Sequence, residues 1–375
     1  MHQNVFVIGA TGNVGRATLE QMIRRGDTDE RLHQNPTRIV GVASSKSFIY
    51  MPEGMPDEAV VCFSRKEVEG RRYPLHGHRI FIEEALRNRP DGTFVFVDVT
   101  ALKKDMLEFH KAVISETTFG IVTANKNPIV MADYDTFVGL TRHRYRYGFS
   151  CSVMAGANAV RDLAASVDLG ERPTGIRGVF SGTINYIISG IEDGRKFSEM
   201  VREAMMLGYT EPHPASDLDG GDVKKKILIL ARTAGYDVRQ PNIRLEPFIP
   251  RGYLARQPVA AFLERLPELD NYFTLRFEEE SRAGHALRYI AEMRIANGIP
   301  RIEVGLAAIG RDDPFASLRG TSNQIMMDRP TPYHPLAEPG AGIERTAFNI
   351  RRDLLDQLRD RTLSGSSIIS EKPYA

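Results

Sequence analysis

The chain's most chemically capable side chains are concentrated at 208–226, GYTEPHPASDLDGGDVKKK, where Glu211, Asp217, Asp219 and Asp222 precede Lys224, Lys225 and Lys226. The apolar run ILILA follows at once, so the stretch ends as a helix entering the core, expected over about 219–233. Asp222 and Lys226 are four positions apart and therefore stand on one helix face, one turn above the other. A carboxylate beside an amine can hold a polar substrate and exchange a proton with it. Lys224 and Lys225 point to other faces, and Asp219 falls where a helix needs a cap. His213 lies between two prolines with no second His or Cys at ligand spacing, so it reads as a loop histidine rather than a metal ligand.

Such a pair needs a reactant brought to it, and the N-terminus supplies a means. NVFVIGATGNVG reads as a buried parallel strand, a glycine loop and the first turn of a helix. Gly9, Gly12 and Gly15, with Thr11, Asn13 and Val14 between them, permit a tight turn and close approach of backbone to a pyrophosphate. The alternative is a glycine turn that holds nothing. The second strand, RIVGVASS, ends in Ser44, Ser45 and Lys46 rather than in the Asp or Glu that binds ribose hydroxyls. Two hydroxyls and a cation suit a 2′-phosphate, so NADP is expected over NAD. The alternative is that Lys46 is a solvated loop lysine. TFVFVDVT and FGIVTANKNP are further buried strands flanking an amphipathic helix, which places Thr100, Asn125 and Lys126 at strand exits, where ligands of doubly wound sheets bind. Residues 47–80 read as irregular.

The middle of the chain reads as a second layer. RHRYRYGFSCSV is expected as a half-exposed strand, too short for a nucleic-acid stripe. IRGVFSGTINYIISG is a strand entering a helix at Ser181, Gly182 and Thr183, where a hydroxyl caps the helix and free N–H groups can grip a carboxylate. FSEMVREAMMLG is a helix with Ser198 as N-cap and Gly208 as its stop. YFTLRFEE, ALRYIAEMRIANG and RIEVGLAAI are expected as antiparallel strands, a surface suited to self-association. PGAGIERTAFNIRRDLLDQLRD brings Gly340 and Gly342 to the start of a long helix with a stripe of Phe348, Leu354, Leu355 and Leu358. The expected organisation is α/β: a Rossmann-type doubly wound parallel sheet over 1–145, completed by the helix at 340–360. An α+β catalytic and dimerisation domain over 146–330 and a loose tail over 361–375 complete it.

Composition narrows the classes. The 375 residues are 42% apolar with a formal net charge of +1, which gives no global field for nucleic acid or an acidic membrane. Cys62 and Cys151 are the two cysteines, too few for a disulfide framework and in keeping with a reducing compartment. No signal peptide opens the chain and no apolar run is long enough to span a bilayer. A cytoplasmic enzyme acting on a small molecule, without nucleic-acid or membrane partners, is expected.

Taken together, TANKNP around Lys126, FSGTINYI at 180–187, MLGYTEPHPASDLDGGDVKKK at 206–226, DDPFASLRGTSNQI at 312–325 and PGAG before the last helix resemble homoserine dehydrogenase over nearly the whole chain. The resemblance implies NAD(P)H-dependent interconversion of L-aspartate 4-semialdehyde and L-homoserine, in the route to threonine and methionine, by a dimer or larger homo-oligomer. It implies Lys226 as acid/base with Asp222 as its partner, Glu211 with Asp217 alongside for the substrate ammonium, and Tyr209 and 181–183 at the substrate. It also implies Lys126 between cofactor and substrate, Thr100 at the cofactor, and Gly340 and Gly342 as cofactor-closing glycines. A monofunctional form without a C-terminal regulatory domain follows, so threonine feedback through such a domain is not expected. The sequence departs from the pattern at the turn that holds a monovalent cation in the family. Ser150 stands for a glutamate, Met154 for a glycine and Asn158 for a proline, so a sodium site at Ser150, Val153, Ala155 and Ala157 is not expected from the side chains; the alternative is that backbone carbonyls supply the ligands. The alternatives are a relative reducing another small amino or oxo acid aldehyde, and a non-catalytic NADP-binding regulator.

Overall fold

The computed structural model describes residues 2–24, 37–74, 76–156, 158–331, 338–339 and 342–363. Its chain divides into two compact units, Met1–Asn158 with Gly342–Ala375, and Ala159–Ala341.

The first unit runs β1 (Gln3–Ile8), α1 (Asn13–Ile23), β2 (Thr37–Ala43), β3 (Ser47–Tyr50), α2 (Asp57–Ser64), β4 (Arg71–Arg72), α3 (Arg79–Arg87), β5 (Thr93–Asp98), α4 (Lys104–Glu116), β6 (Gly120–Thr123), α5 (Asn127–Met131), α6 (Tyr134–Thr141) and β7 (Tyr147–Gly148). The sheet order is β4-β3-β2-β1-β5-β6-β7. β2, β1, β5, β6 and β7 are parallel, while β3 and β4 add an antiparallel edge. The chain leaves β1 to one side for β2 and returns on the other for β5, so the order reverses between β1 and β5. In such sheets the crevice outside that reversal takes the ligand. Alternation along the strands assigns the two faces. Val5, Val7, Val95 and Val97 join Leu19, Met22, Ile350 and Leu354 in one core. Phe6, Phe94 and Phe96 point to the other face, where they meet Phe81, Phe119 and Phe109 respectively at ring separations of 4.7–5.1 Å. β3 and β4 correct the expectation of irregular structure over 47–80. RHRYRYGFSCSV also differs from expectation: it contributes only Tyr147–Gly148 as strand, then breaks into 3-10 turns at Ser150–Ser152 and Met154–Gly156.

The second unit contains α7 (Ala159–Asp168), β8 (Gly175–Val179), α8 (Gly182–Glu192), α9 (Phe197–Met206), α10 (Ala215–Leu218), α11 (Gly221–Thr233), β9 (Ile243–Leu245), α12 (Val259–Arg265), α13 (Asp270–Arg282), β10 (His285–Ala296), β11 (Ile299–Gly310), β12 (Ser322–Asp328) and β13 (Glu338–Pro339). Its sheet order is β13-β12-β8-β10-β11-β9. β10 and β11 form a hairpin whose turn residues Asn297 and Gly298 both have positive φ, 53° and 77°, as a tight two-residue turn requires. YFTLRFEE is helix, not strand. Phe273 and Phe277, four apart, are buried together, whereas Leu275 between them is 54% exposed, which is a helical period and not a strand's. Ser198 is not the N-cap of α9. Its N–H and hydroxyl both donate to Asp270, at 2.7 and 2.8 Å. α14 (Ile343–Leu363) returns to the first unit and buries Ala347, Ile350 and Leu354; Phe348, expected in its apolar stripe, is 61% exposed. Among the described residues no helix is long and apolar enough to cross a membrane.

Candidate active site

In the second unit, the end of β8 and the start of α11 are joined by one side chain. Lys226 Nζ donates to the Phe180 carbonyl at 2.6 Å and lies 2.8 Å from Asp222 Oδ2. The lysine side chain is 10% exposed and the aspartate 47%, so the pair spans from the core to the surface, with its amine held below its carboxylate. An ammonium has three N–H donors, and the carbonyl and carboxylate use two. The α11 entry is built for this. Asp219 Oδ1 accepts the Gly221 N–H at 2.6 Å, but Gly220 holds the cap position and α11 has no side-chain cap, so Asp219 is not the cap expected of it and braces the entry from two residues before the helix. Gly220 sits at φ 74°, and a Cβ there would come within 2.0 Å of the Tyr289 hydroxyl, so only glycine fits.

Phe180 leads directly into 181–183. Ser181 caps α8 by accepting the Ile184 N–H at 3.2 Å. Thr183 donates to the Tyr209 carbonyl and lies 3.4 Å from Asp217 Oδ1. The other Asp217 oxygen accepts the Glu211 N–H at 2.8 Å. The Asp217 carboxyl is pushed up to about 6, chiefly by burial, with the Glu211 charge adding and the Glu211 and Thr183 hydrogen bonds opposing. Glu211 is exposed, and the half-exposed Tyr209 sets its ring edge-on to Tyr186 at 5.1 Å. Ser181, Gly182, Thr183, Tyr209, Glu211, Asp217, Asp222 and Lys226 thus belong to one connected cluster. Sequence alone missed how its floor is set: the fully buried Arg288 guanidinium bonds the carbonyls of Phe315, Ala316 and Leu318 and pairs with Glu192 at 2.6 Å. That fixes the turn before Thr321, whose carbonyl would stand 3.0 Å from a Cβ at Gly182.

The first unit presents a separate set. Gly9 has φ 94°, and a Cβ at Gly15 would come within 2.2 Å of the Gly9 carbonyl, so these glycines set the approach of loop to helix. α1 begins after Gly12 with no side-chain cap; the Gly12 N–H turns back to the Gly9 carbonyl at 3.0 Å, and the first-turn N–H groups of Asn13 and Val14 are of the kind that bind phosphate. Thr11 is half-buried in the same loop. At the end of β2, the Ser44 hydroxyl accepts the Lys46 and Ser47 N–H groups at 3.2 and 3.1 Å, so it shapes the turn. Ser45 and Lys46 are exposed, and they line a hollow with Glu69, Arg72 and Tyr73, which sequence alone did not single out.

The exits of β5 and β6 are tied together under the surface. Buried Asp98 accepts from Thr100 N–H at 2.9 Å, Thr100 Oγ1 at 2.7 Å and Asn125 Nδ2 at 3.0 Å. His110 Nε2 lies 3.2 Å from Asp98, and its Nδ1 shares a 2.7 Å hydrogen bond with the Tyr147 hydroxyl. Asn125 also reaches the Leu102 carbonyl at 2.9 Å. Lys126, half-buried, follows Asn125 and opens α5. Gly342 has φ 145°; Gly340 and Ala157 lie outside the described residues. Among the described residues no group of three or more His, Cys, Asp or Glu is placed to hold a metal ion.

Comparison with known proteins points the same way. The family model described as homoserine dehydrogenase matches residues 160–355, just over half of the chain. The chain is 28% identical over 358 residues to the bifunctional aspartokinase/homoserine dehydrogenase of Daucus carota, covering 94% of this chain but 38% of that protein. It therefore spans well under half the length of that relative. Its fold is similar to a Candida auris protein of unknown function, with a TM-score of 0.80 and 26% identity over 96% of this chain and 99% of that one. It is also similar in fold to a hyperthermophilic archaeal homoserine dehydrogenase solved with NADPH, with a TM-score of 0.70 and 21% identity over 96% and 99% of the two chains. With a family model matched across the whole Lys226 cluster, the chain belongs to the homoserine dehydrogenase family.

Proposed function

We propose that the protein is an oxidoreductase interconverting L-homoserine and L-aspartate 4-semialdehyde with NADP(H). The observation that carries this reading is the Lys226 ammonium, anchored on the Phe180 carbonyl and paired with Asp222, with one donor left for a substrate oxygen. Lys226 gives its proton to the alkoxide formed on aldehyde reduction and takes it back in the reverse direction. Asp222, on the solvent side, orients the amine at 2.8 Å. Glu211 and Asp217 hold the substrate ammonium beside Tyr209, and 181–183 meet its carboxylate. The nicotinamide, when bound, supplies or accepts the hydride. The loop around Gly9, Thr11, Gly12, Asn13, Val14 and Gly15 fits a pyrophosphate because its glycines leave no room for a Cβ and the helix behind it is uncapped.

NADP is favoured by Ser45 and Lys46, joined by Arg72 on the neighbouring strand, as cations for a 2′-phosphate. Thr100, Lys126, Gly340 and Gly342 keep the cofactor roles their motifs imply. Two free cysteines, Cys62 and Cys151, suit a cytoplasmic setting. The proposal includes a homodimer formed through the second unit's sheet, which the resemblance implies and on which Ala307 and Met326 are apolar and only partly buried.

The altered turn at 150–158 favours one competing reading, a different small amino or oxo acid aldehyde as substrate. Rates with aspartate semialdehyde and a panel of related aldehydes separate the two. The highest kcat/KM on aspartate semialdehyde supports the proposal; a higher value on another aldehyde overturns it. NADPH binding with no turnover on any aldehyde marks a binding protein.

A further inference from the structure

The turn at 150–158, where the resemblance implies a cation, lacks the carboxylate expected of it. Ser150 stands where the resemblance implies a carboxylate, and it donates rather than ligates. Its N–H and hydroxyl reach the two oxygens of Asp353 on α14, at 3.0 and 2.6 Å. Of the four positions named for the ion, the Ser150, Val153 and Ala155 carbonyls each accept a hydrogen bond, and Ala157 lies outside the described residues. The Val153 carbonyl accepts the Gly156 N–H at 3.2 Å. The Ala155 carbonyl accepts Asn349 Nδ2 at 3.0 Å, and the Gly156 carbonyl accepts Arg352 at 2.7 Å. A second arm of the Arg352 guanidinium reaches Asn158 Oδ1 at 2.9 Å. Among the described residues of this turn and its α14 partners, Ser152 Oγ and Asn349 Oδ1 are the buried side-chain oxygens left without a hydrogen bond, and two neutral oxygens are short of the several that a hard cation takes.

α14 meets the turn with spacing suited to the task. Asn349, Arg352 and Asp353 are three and four positions apart, so they share one helix face. Asn349 and Asp353 are buried. The turn they hold is strained, with Met154 and Ala155 at φ 53° and 52°, a conformation that persists only when its surroundings fix it. A Cβ at Gly156 would come within 2.4 Å of the Asn349 side chain, so helix and turn are in close contact.

We infer that this turn is closed to monovalent cations and that α14 replaces the ion, with the Arg352 guanidinium as a tethered positive charge on the turn's oxygens. Asp353 returns, from 203 residues away, the carboxylate that Ser150 lacks. This assignment concerns only the first unit, so it stands or falls apart from the proposed reaction.

The test uses the full chain in sodium, potassium and choline chloride at equal ionic strength. The expected Tm is the same in all three to within about 1 °C, and the ²³Na resonance shows no saturable broadening on adding protein. Arg352→Gln is expected to lower Tm by about 2–6 °C, and Arg352→Lys by less. A saturable, sodium-specific rise in Tm, sodium line broadening, or an unchanged Tm in Arg352→Gln overturns the inference. If Arg352→Gln does not fold, the salt series and the Arg352→Lys variant still decide.

Discussion

Replacing Lys226 with methionine separates chemistry from folding. Methionine keeps the length and burial of the stem and removes the ammonium. The structural loss divides into two parts. Asp222 is about half exposed, so its carboxylate rehydrates when the pair breaks, and an exposed pair is worth about 0–1 kcal/mol. The Phe180 carbonyl, on a fully buried residue, loses its donor, and an unpaired buried group costs about 1–3 kcal/mol. A total of about 1–4 kcal/mol lies below the usual 5–15 kcal/mol of folding stability, so most molecules stay folded. Removing the general acid should cost a factor of about 10²–10⁴ in turnover, equivalent to roughly 3–5.5 kcal/mol on the barrier. Steady-state assay of Lys226→Met should show that loss in kcat, while NADPH affinity, read by fluorescence titration, stays within about twofold of wild type. A folded Lys226→Met protein with kcat within about threefold of wild type would refute the assignment. So would a loss of turnover matched by an equal loss of NADPH binding.

Two further outcomes follow from the site. Lys46→Gln should raise the KM for NADPH about tenfold, the equivalent of about 1.4 kcal/mol, and leave that for NADH nearly unchanged; equal effects on both cofactors would remove Lys46 from the 2′-phosphate. The Asp217 carboxyl, raised to about 6, must be ionised to hold an ammonium, so kcat/KM for homoserine should fall about tenfold per pH unit below about 6, and Asp217→Asn should abolish that limb. The stability effect has the opposite sign. Because burial raises the folded pKa above the unfolded value, the folded state gains as pH falls from about 6 toward 4, and loses as pH rises through that window.

Much of this was legible in the sequence because it is local. Val and Phe alternate along β1 and β5, which told of strands buried on both faces. The four-residue spacing of Asp222 and Lys226 placed them on one helix face, and the glycines of the first loop marked an approach of backbone. What was not legible depends on residues far apart in the chain. Glu192 and Arg288, 96 residues apart, fix the turn beneath 181–183. His110 and Tyr147 join Asp98 under the strand exits with no spacing to announce them. YFTLRFEE failed for a different reason: its aromatics fit both periods, and only packing of Phe273 and Phe277 on one side chose the helix. Ser44 looked like a phosphate ligand by type, but its hydroxyl is spent on its own turn.

The measurement closest to the central claim is absorbance at 340 nm when purified protein is mixed with L-homoserine and NADP, repeated with NAD. Homoserine-dependent appearance of NADPH, faster than NADH, that disappears in Lys226→Met is the predicted result. Contradiction would come from a folded protein that binds NADPH yet reduces neither cofactor with homoserine.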